Sequence, residues 1–405
     1  MTTRHWAWPS VLAAATLLWT APGWAQTAPS ALKQGFDAAW ARKPEHRAAP
    51  LRKDAAAAAA AAAQRWTPDA PALEMTAKTD RITRNEGARE YDAAVAVPLW
   101  LPGERSRAQA AAAAGVEAVD KQLLAAQWRL AADVRDAYWA HQRARIDLDL
   151  ARQRLANARQ IAADVARRVN AGDLARADGH QAEAAAATAE SAAAEADVTL
   201  TDAAQAWSAL TGAPPAGTGA EPRPAGDAAE HPALAELSAK AELARRQRDL
   251  AGAQSRANPE LTVGAARERG SLGERYGQSV IVGLRIPLGR SSGSDARLAT
   301  AGADLLEAEA QLEQERQRVR SQVQAAQLRV KALETAHAAA ERRAALARES
   351  RGFFDKSFRL GETDLPTRLR IELEAAEAER QAARSGVERD AAISQLRQAL
   401  GLLPE

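Results

Sequence analysis

Residues 298–366 read LATAGADLLEAEAQLEQERQRVRSQVQAAQLRVKALETAHAAAERRAALARESRGFFDKSFRLGETDLP. Counting in sevens from Leu298, one position holds Leu298, Leu305, Leu312, Val319, Ala326, Leu333, Ala340, Ala347 and Phe354 without a slip. A strict seven-residue apolar repeat specifies a helix that supercoils left-handedly against its neighbours. At ~1.5 Å per residue, a helix over 298–358 makes a rod of roughly 90 Å. Gly361 stops it, as glycines just past helix ends do, and a shorter helix returns as far as Gly401.

The same reading applies 189 residues upstream. Val116, Leu123, Leu130, Ala137, Ala144, Ala151, Ala158 and Val165 form the matching heptad set. Gly172-Asp173 stands for Gly361-Glu362, Gly212 for Gly401, Pro215 for Pro404 and Val97-Pro98-Leu99 for Ile286-Pro287-Leu288, all at one offset. The chain is one unit written twice. The seam, GAPPAGTGAEPRPAGDAAEHP over 212–232, reads as a linker. The expected organisation is an export signal at 1–25, a first repeat at 26–212, a linker at 213–232 and a second repeat at 233–405.

Upstream of each long helix lie a shorter helix and two strand-like runs. The shorter helices are read over Ala31–Gln64, interrupted near Pro44 and Pro50, and over Ala233–Ser255. The strands are read over 73–79 and 93–101, then over 261–265 and 280–288. Charged turns are read at Asp80–Glu90 and Arg267–Arg275. Alternation is clearest in the second strand of each pair: Val95, Val97, Leu99 and Leu101 share one side, as do Val280, Val282, Leu284, Ile286 and Leu288. Each copy therefore runs helix, hairpin, long helix, tight tip, returning helix.

Arg4 and His5 precede an apolar run from Val11 to Trp19 and a small-residue site ending at Ala25, the pattern of a secretory signal cleaved after Ala25. Its removal leaves 53 basic and 52 acidic residues, a balance with no footprint for nucleic acid. No later segment is apolar for long enough to be a transmembrane helix. Export without a helical anchor leaves periplasm, exterior or an outer-membrane β-barrel. Four strands cannot face lipid with open edges, and the smallest membrane barrels need about eight. Strands entering a membrane would therefore require several chains to close one barrel. The alternative is a soluble coiled-coil protein whose hairpins cap the rods.

The absence of Cys excludes disulfides, thiolate metal sites, a Cys nucleophile and a lipid-anchored N-terminal Cys. The hydrophobic content is mostly Ala and the mean hydropathy is −0.38. Close-packed helices are therefore expected rather than a large core. HExxH, phosphate-loop and EF-hand patterns do not occur. Five scattered histidines remain after the signal, and His141 and His337 fall on heptad-core positions, where a neutral packing role is expected. No enzyme activity and no cofactor is expected.

These features together resemble the TolC-type outer-membrane channels of tripartite efflux systems, the outer membrane factor family. Ala41-Arg-Lys-Pro-Glu45 and His231-Pro-Ala-Leu234 look like the openings of the two family repeats. Asn258-Pro-Glu-Leu-Thr-Val263 looks like the start of a hairpin, and Pro98-Leu99 and Pro287-Leu288 like hairpin exits. Asn170–Leu174 and Arg359–Pro366 resemble the periplasmic tips, and Leu210-Thr-Gly212 and Ala399-Leu-Gly401 the repeat ends. The likeness covers essentially all of 30–405.

The resemblance implies a mainly α protein with a small β part. By trimerisation it would form a twelve-stranded outer-membrane barrel on a long coiled-coil periplasmic tunnel. It implies a passive channel contacting outer-membrane lipid, a periplasmic adaptor and an inner-membrane RND-type pump. Gly172, Asp173, Gly361, Glu362 and Asp364 then mark the tips where the adaptor docks. In relatives an acid six residues after the tip glycine helps hold the entrance closed. Asp178 occupies that place in the first copy; Thr367 does in the second, with Arg368 and Arg370 nearby as further gate candidates. The tip Arg359–Pro366 looks most like the heavy-metal cation (Czc-type) branch, so cations or drugs are the expected cargo. Type I protein secretion uses the same channel family. A periplasmic adaptor would instead show a single hairpin and a lipoyl-like β domain.

Overall fold

The computed structural model describes residues 30–226 and 230–405; the export signal read over 1–25 lies outside them. The first half holds α1 (Ala31–Arg42), α2 (Pro44–Ala63), β1 (Ala72–Thr79), β2 (Arg89–Pro98), α3 (Glu104–Ala171) and α4 (Arg176–Thr211). The second half holds α5 (Pro232–Ala253), β3 (Glu260–Arg269), β4 (Gly277–Arg285), α6 (Ser294–Arg359) and α7 (Leu365–Ala399).

The two rods are real and unbroken: α3 has 68 residues and α6 has 66, about 100 Å each at ~1.5 Å per residue. Neither contains Pro, and both are dense in Ala, Leu, Arg, Glu and Gln, which lose little side-chain freedom in a helix. Each ends in the same hydrogen-bonded motif. Gly172 has φ +85° and Gly361 φ +79°. The N–H of Asp173 reaches Arg168 O at 2.9 Å and that of Gly172 reaches Val169 O at 3.1 Å. Glu362 to Ser357 (3.0 Å) and Gly361 to Phe358 (3.1 Å) repeat the pattern. This is the Schellman termination, which needs a left-handed residue and so favours Gly.

Beside the sheet, α3 packs between α2 and α5, and α5 packs on α6; toward the tips, α3 packs between α4 and α7, and α7 packs on α6. The protomer is therefore a wall four helices wide. Its outer edges are α2 with α4 on one side and α6 on the other. The buried heptad residues include Leu123, Leu130, Ala144 and Val165 on α3 and Leu312, Val319 and Ala340 on α6. The largest apolar cluster surrounds Trp207, with Leu32, Phe36, Leu130, Val134, Tyr138 and Val387. A Cβ on Gly35 would lie 2.3 Å from that indole, so only Gly lets α1 approach α4 so closely.

The seam between the halves is strapped down. Arg135 grips Glu221 with two hydrogen bonds of 2.9 and 2.7 Å, both side chains almost wholly buried. Arg397 lies 3.3 Å from Glu221 Oε1, off the hydrogen-bond axis, and 2.8 Å from Glu405 Oε1, while donating to Pro222 O at 3.2 Å. The Tyr138 hydroxyl donates to Gly219 O at 2.8 Å. Segment 217–222 is thus clamped between α3 and α7.

Several boundaries differ from the sequence reading. The expected interruption near Pro50 is absent: Pro50 lies inside α2, exposed, so water replaces the one lost backbone bond. The break falls only at extended Lys43, just before Pro44. The second strand of the first pair runs Arg89–Pro98 rather than to 101, because Pro98 closes the ladder. Strand β3 continues through the charged residues to Arg269, shortening the turn read at Arg267–Arg275, and β4 stops at Arg285 before Pro287.

Candidate functional site

The four strands form one antiparallel sheet in the order β1-β2-β3-β4, so the two hairpins join through the β2–β3 pair. The register places Leu73, Val95, Val263 and Val282 in one row across the sheet. Met75, Ala93, Ala265 and Val280 form the next row, and Val97, Leu261 and Leu284 the one nearest the helices. All lie on one face by the two-residue alternation. Its large members are exposed, Val282 at 71% and Val280 at 77%.

The other face differs in kind. It carries Ala94, Ala96, Gly264, Ala266, Gly283 and one large apolar residue, Ile281, together with Glu74, Glu90, Asp92, Glu260, Glu268, Lys78 and Arg285. Ala94, Ala96 and Ala266 are buried, and a Cβ on Gly264 would meet Ala94 Cβ at 2.5 Å. Small residues crowd this side because the sheet curls toward it. The concave face is polar and the convex face is apolar, the arrangement of a barrel wall with water inside and lipid outside. From Val97 to Tyr91 the apolar rows span about 20 Å. Trp100 stands at the helix end and Tyr91 and Tyr276 at the turn end, the places of interfacial aromatics. Both outer strands, β1 and β4, present unpaired backbone along one edge, a hazard unless another strand covers it.

At the opposite end, the tips of the two halves lock together. Phe358 of α6 is 2% exposed and packs with Ile161, Val165, Ala182 and Leu365. Its ring is contacted by two guanidiniums, Arg168 of α3 at 4.9 Å and Arg368 of α7 at 4.6 Å. Arg368 also bonds Asp355 at 2.7 Å and lies 3.9 Å from Asp164 of α3. It is therefore held inside the tip cluster. Arg370 is on the surface and pairs with Glu374 one turn along its own helix, at 2.6 Å.

Thr367 donates its N–H to Asp364 Oδ1 at 3.1 Å, so Asp364 caps α7. Hydrogen bonds from the Thr367 hydroxyl and N–H hold the Asp364 carboxyl below the usual carboxylate range. Asp178 is half-buried in the first turn of α4 and accepts from the Ala175 N–H at 3.2 Å. Gly172, Asp173, Gly361 and Glu362 are exposed at the turns, and a Cβ on either glycine would meet nothing within 4 Å. The structure thus brings Arg368 and Asp364 into the tip framework, and leaves the tip glycines, Asp173 and Glu362 on the open surface.

Residues 36–213 match the family described as outer membrane efflux protein. The match covers the first of the two repeats. No curated protein sequence matches the chain significantly. Among solved structures, VceC from Vibrio cholerae, an outer membrane protein, is 18% identical at TM-score 0.73, over 92% of this chain and 97% of that one. CusC, described by its folding and transmembrane channel formation, is 19% identical at TM-score 0.74, over 92% of each chain. The MtrE outer membrane channel of Neisseria gonorrhoeae, in its open state, is 18% identical at TM-score 0.70, over 92% and 89%. At these identities the likeness is one of fold.

The first repeat therefore carries the outer membrane efflux protein pattern, and the chain as a whole has the fold of these solved structures. Among the described residues no helix is long and apolar enough to cross a membrane, and no group of three His, Asp or Glu is placed to hold a metal ion. His337 packs as heptad position predicts, its Nδ1 3.0 Å from Ser385 Oγ. His141 differs: its Nδ1 is buried without a partner, and burial beside Arg145 pushes its pKa down. The Arg168–Phe358–Arg368 stack was not legible in the sequence. Its members are up to 200 residues apart, and only the cross-repeat register brings them together.

Proposed function

We propose that three copies of this chain form a passive outer-membrane efflux duct, fed by an inner-membrane RND-type pump through a periplasmic adaptor. The observation that carries this reading is the two-faced sheet with two bare edges. In a four-stranded antiparallel sheet β1 and β4 run in opposite directions, so β4 of one copy pairs antiparallel with β1 of the next. Three copies give twelve strands, an even number with no edge left facing lipid. The same rotation sets α6 beside the α2 and α4 edge of its neighbour, continuing the wall into a tunnel.

The cargo reading follows from the concave face. It carries five acids and two bases, of which Lys78 pairs with Glu90 and Arg285 with Glu260. A lumen lined this way favours cations, consistent with export of heavy-metal cations. The exposed turns at Gly172, Asp173, Gly361, Glu362 and Asp364 are the adaptor-docking surface in this reading. The Arg168–Phe358–Arg368 stack is the latch that keeps the α6–α7 tip against α3.

Single-channel recording of the reconstituted protein tests both parts. The wild type is expected to pass small cations in preference to anions. Arg368→Ala is expected to raise the open fraction several-fold, and Arg370→Ala to leave it unchanged, since its partner is on its own helix. Asp178→Asn keeps an oxygen acceptor for the Ala175 N–H but removes the charge, so raised conductance assigns the charge to closure; unchanged conductance leaves Asp178 a helix cap. Wild-type behaviour of Arg368→Ala contradicts the latch.

A further inference from the structure

The convex face does not stay apolar to its turn end. Above the row of Met75, Ala93, Ala265 and Val280, the register sets Tyr91 directly opposite Arg267, and one row further sets Arg89 directly opposite Arg269. The Tyr276 ring contacts both β3 guanidiniums, 4.5 Å from Arg267 and 5.0 Å from Arg269. Three cations thus share a small patch on the side of the sheet that carries the apolar band.

Among the described residues no ion pair neutralises them. The acids of the same strand ends, Glu90 and Glu268, alternate onto the concave face, where Glu90 is paired with Lys78 at 3.1 Å. Of the turn acids, Glu274 is occupied by the N–H groups of Gly270 and Ser271 at 2.8 and 3.0 Å. Glu86 is exposed on the first turn. Arg89, Arg267 and Arg269 form no ion pair among the described residues, and Arg269 uses only its Nε, donating to Gly87 O at 3.0 Å. Like charges directly opposite one another on a sheet repel, and an anion between them removes the repulsion.

The patch is also held in place. Leu272 N–H bonds Glu86 O at 2.9 Å, and Gly87, at φ +99°, lies against Leu272 so closely that a Cβ would come within 2.4 Å of its nitrogen. The two hairpin turns are therefore docked to each other beneath the guanidiniums. Arg presents paired N–H donors in the planar fork that suits phosphate.

We propose that Arg89, Arg267 and Arg269, with Tyr276 against the latter two, bind the phosphate groups of a phosphorylated glycolipid in the outer leaflet, whose acyl chains lie on the apolar rows below. The site depends on the sheet standing in the membrane with its turns outward. A lipid is the occupant because the cationic patch is continuous with that apolar face, so one amphiphile satisfies both.

The test uses the full-length protein in detergent, titrated with bisphosphorylated lipid A, with dephosphorylated lipid A and with inorganic phosphate, and read by native mass spectrometry. Bisphosphorylated lipid A is expected to bind roughly tenfold or more tightly than the dephosphorylated form, the order expected for several basic side chains meeting an anionic headgroup. The Arg267→Gln/Arg269→Gln variant is expected to lose that preference while retaining its oligomer. Equal binding of the two lipids, an unchanged preference in the variant, or retention of inorganic phosphate alone would each overturn the proposal. Membrane placement is read separately, from the envelope fraction that holds each protein. Loss of lipid preference in a correctly placed wild type therefore falls on this site alone.

Discussion

Glu221→Ala is expected to destabilise the protein by about 3–5 kcal/mol, the cost of leaving a buried charge without its partner. Glu221 is the anion between two buried guanidiniums, Arg135 and Arg397, each no more than 3% exposed. Its removal leaves both facing Gln398 Oε1, the carbonyls of Leu402 and Pro222, and the exposed carboxylate of Glu405. The clamp on segment 217–222 is lost with it, and that segment ties α3 of the first half to α7 of the second. Glu221→Gln, which keeps the volume and one oxygen acceptor, should lose less. Denaturant unfolding of the three proteins in matched detergent reads the difference, and a loss under about 1 kcal/mol for Glu221→Ala would show that the cluster is solvated.

The second large effect is expected at a residue that looks dispensable in one copy. Val282 is 71% exposed, and in water an exposed Val→Arg exchange costs within about 0.5 kcal/mol. Val282 stands in the central apolar row with Leu73, Val95 and Val263. If that row faces hydrocarbon, Val282→Arg costs about 2–4 kcal/mol. Ser279, three residues earlier on the same strand, belongs to the concave face in the row of Thr76, Asp92 and Ala266. Ser279→Arg is expected to be tolerated and to reduce cation preference. Reversible unfolding in lipid vesicles compares the two, and equal effects would mean that the faces are not lipid and lumen.

How far the sequence carried the fold depends on the range of the forces involved. The rods were legible because a heptad repeat is a local pattern that states its own partner face, and because Gly172 and Gly361 mark ends that only a left-handed residue can make. The strand cores were legible by alternation. Their outer ends were not: Arg89, Glu90 and Arg267 to Arg269 read as turn residues by composition, yet they continue the ladder. Strands that leave the hydrocarbon carry charge at the headgroup level. Pro50 misled in the opposite sense, since a single proline on an exposed face of an Ala-rich helix removes one bond without breaking the helix.

The candidate site residues divide along the same line. The tip turns carrying Gly172, Asp173, Gly361, Glu362 and Asp364 were legible because tight turns have local signatures. Arg368 was read as a gate candidate near the tip; its contact with the Phe358 ring, which Arg168 shares, depends on how the two halves dock. The strap was invisible for the same reason, because Arg135 and Glu221 are 86 residues apart and Glu221 sits in a stretch whose Gly and Pro content reads as a linker. Linker composition described the backbone correctly and said nothing of the charge it carries into the wall.

The most direct measurement of the central claim is envelope fractionation of the tag-free protein, with each fraction run unheated and heated on SDS gels. The account predicts an outer-membrane band at the size of three chains that collapses to one chain on heating. A monomer in the soluble periplasmic fraction would contradict it, since the bare β1 and β4 edges and the apolar convex face would then stand in water.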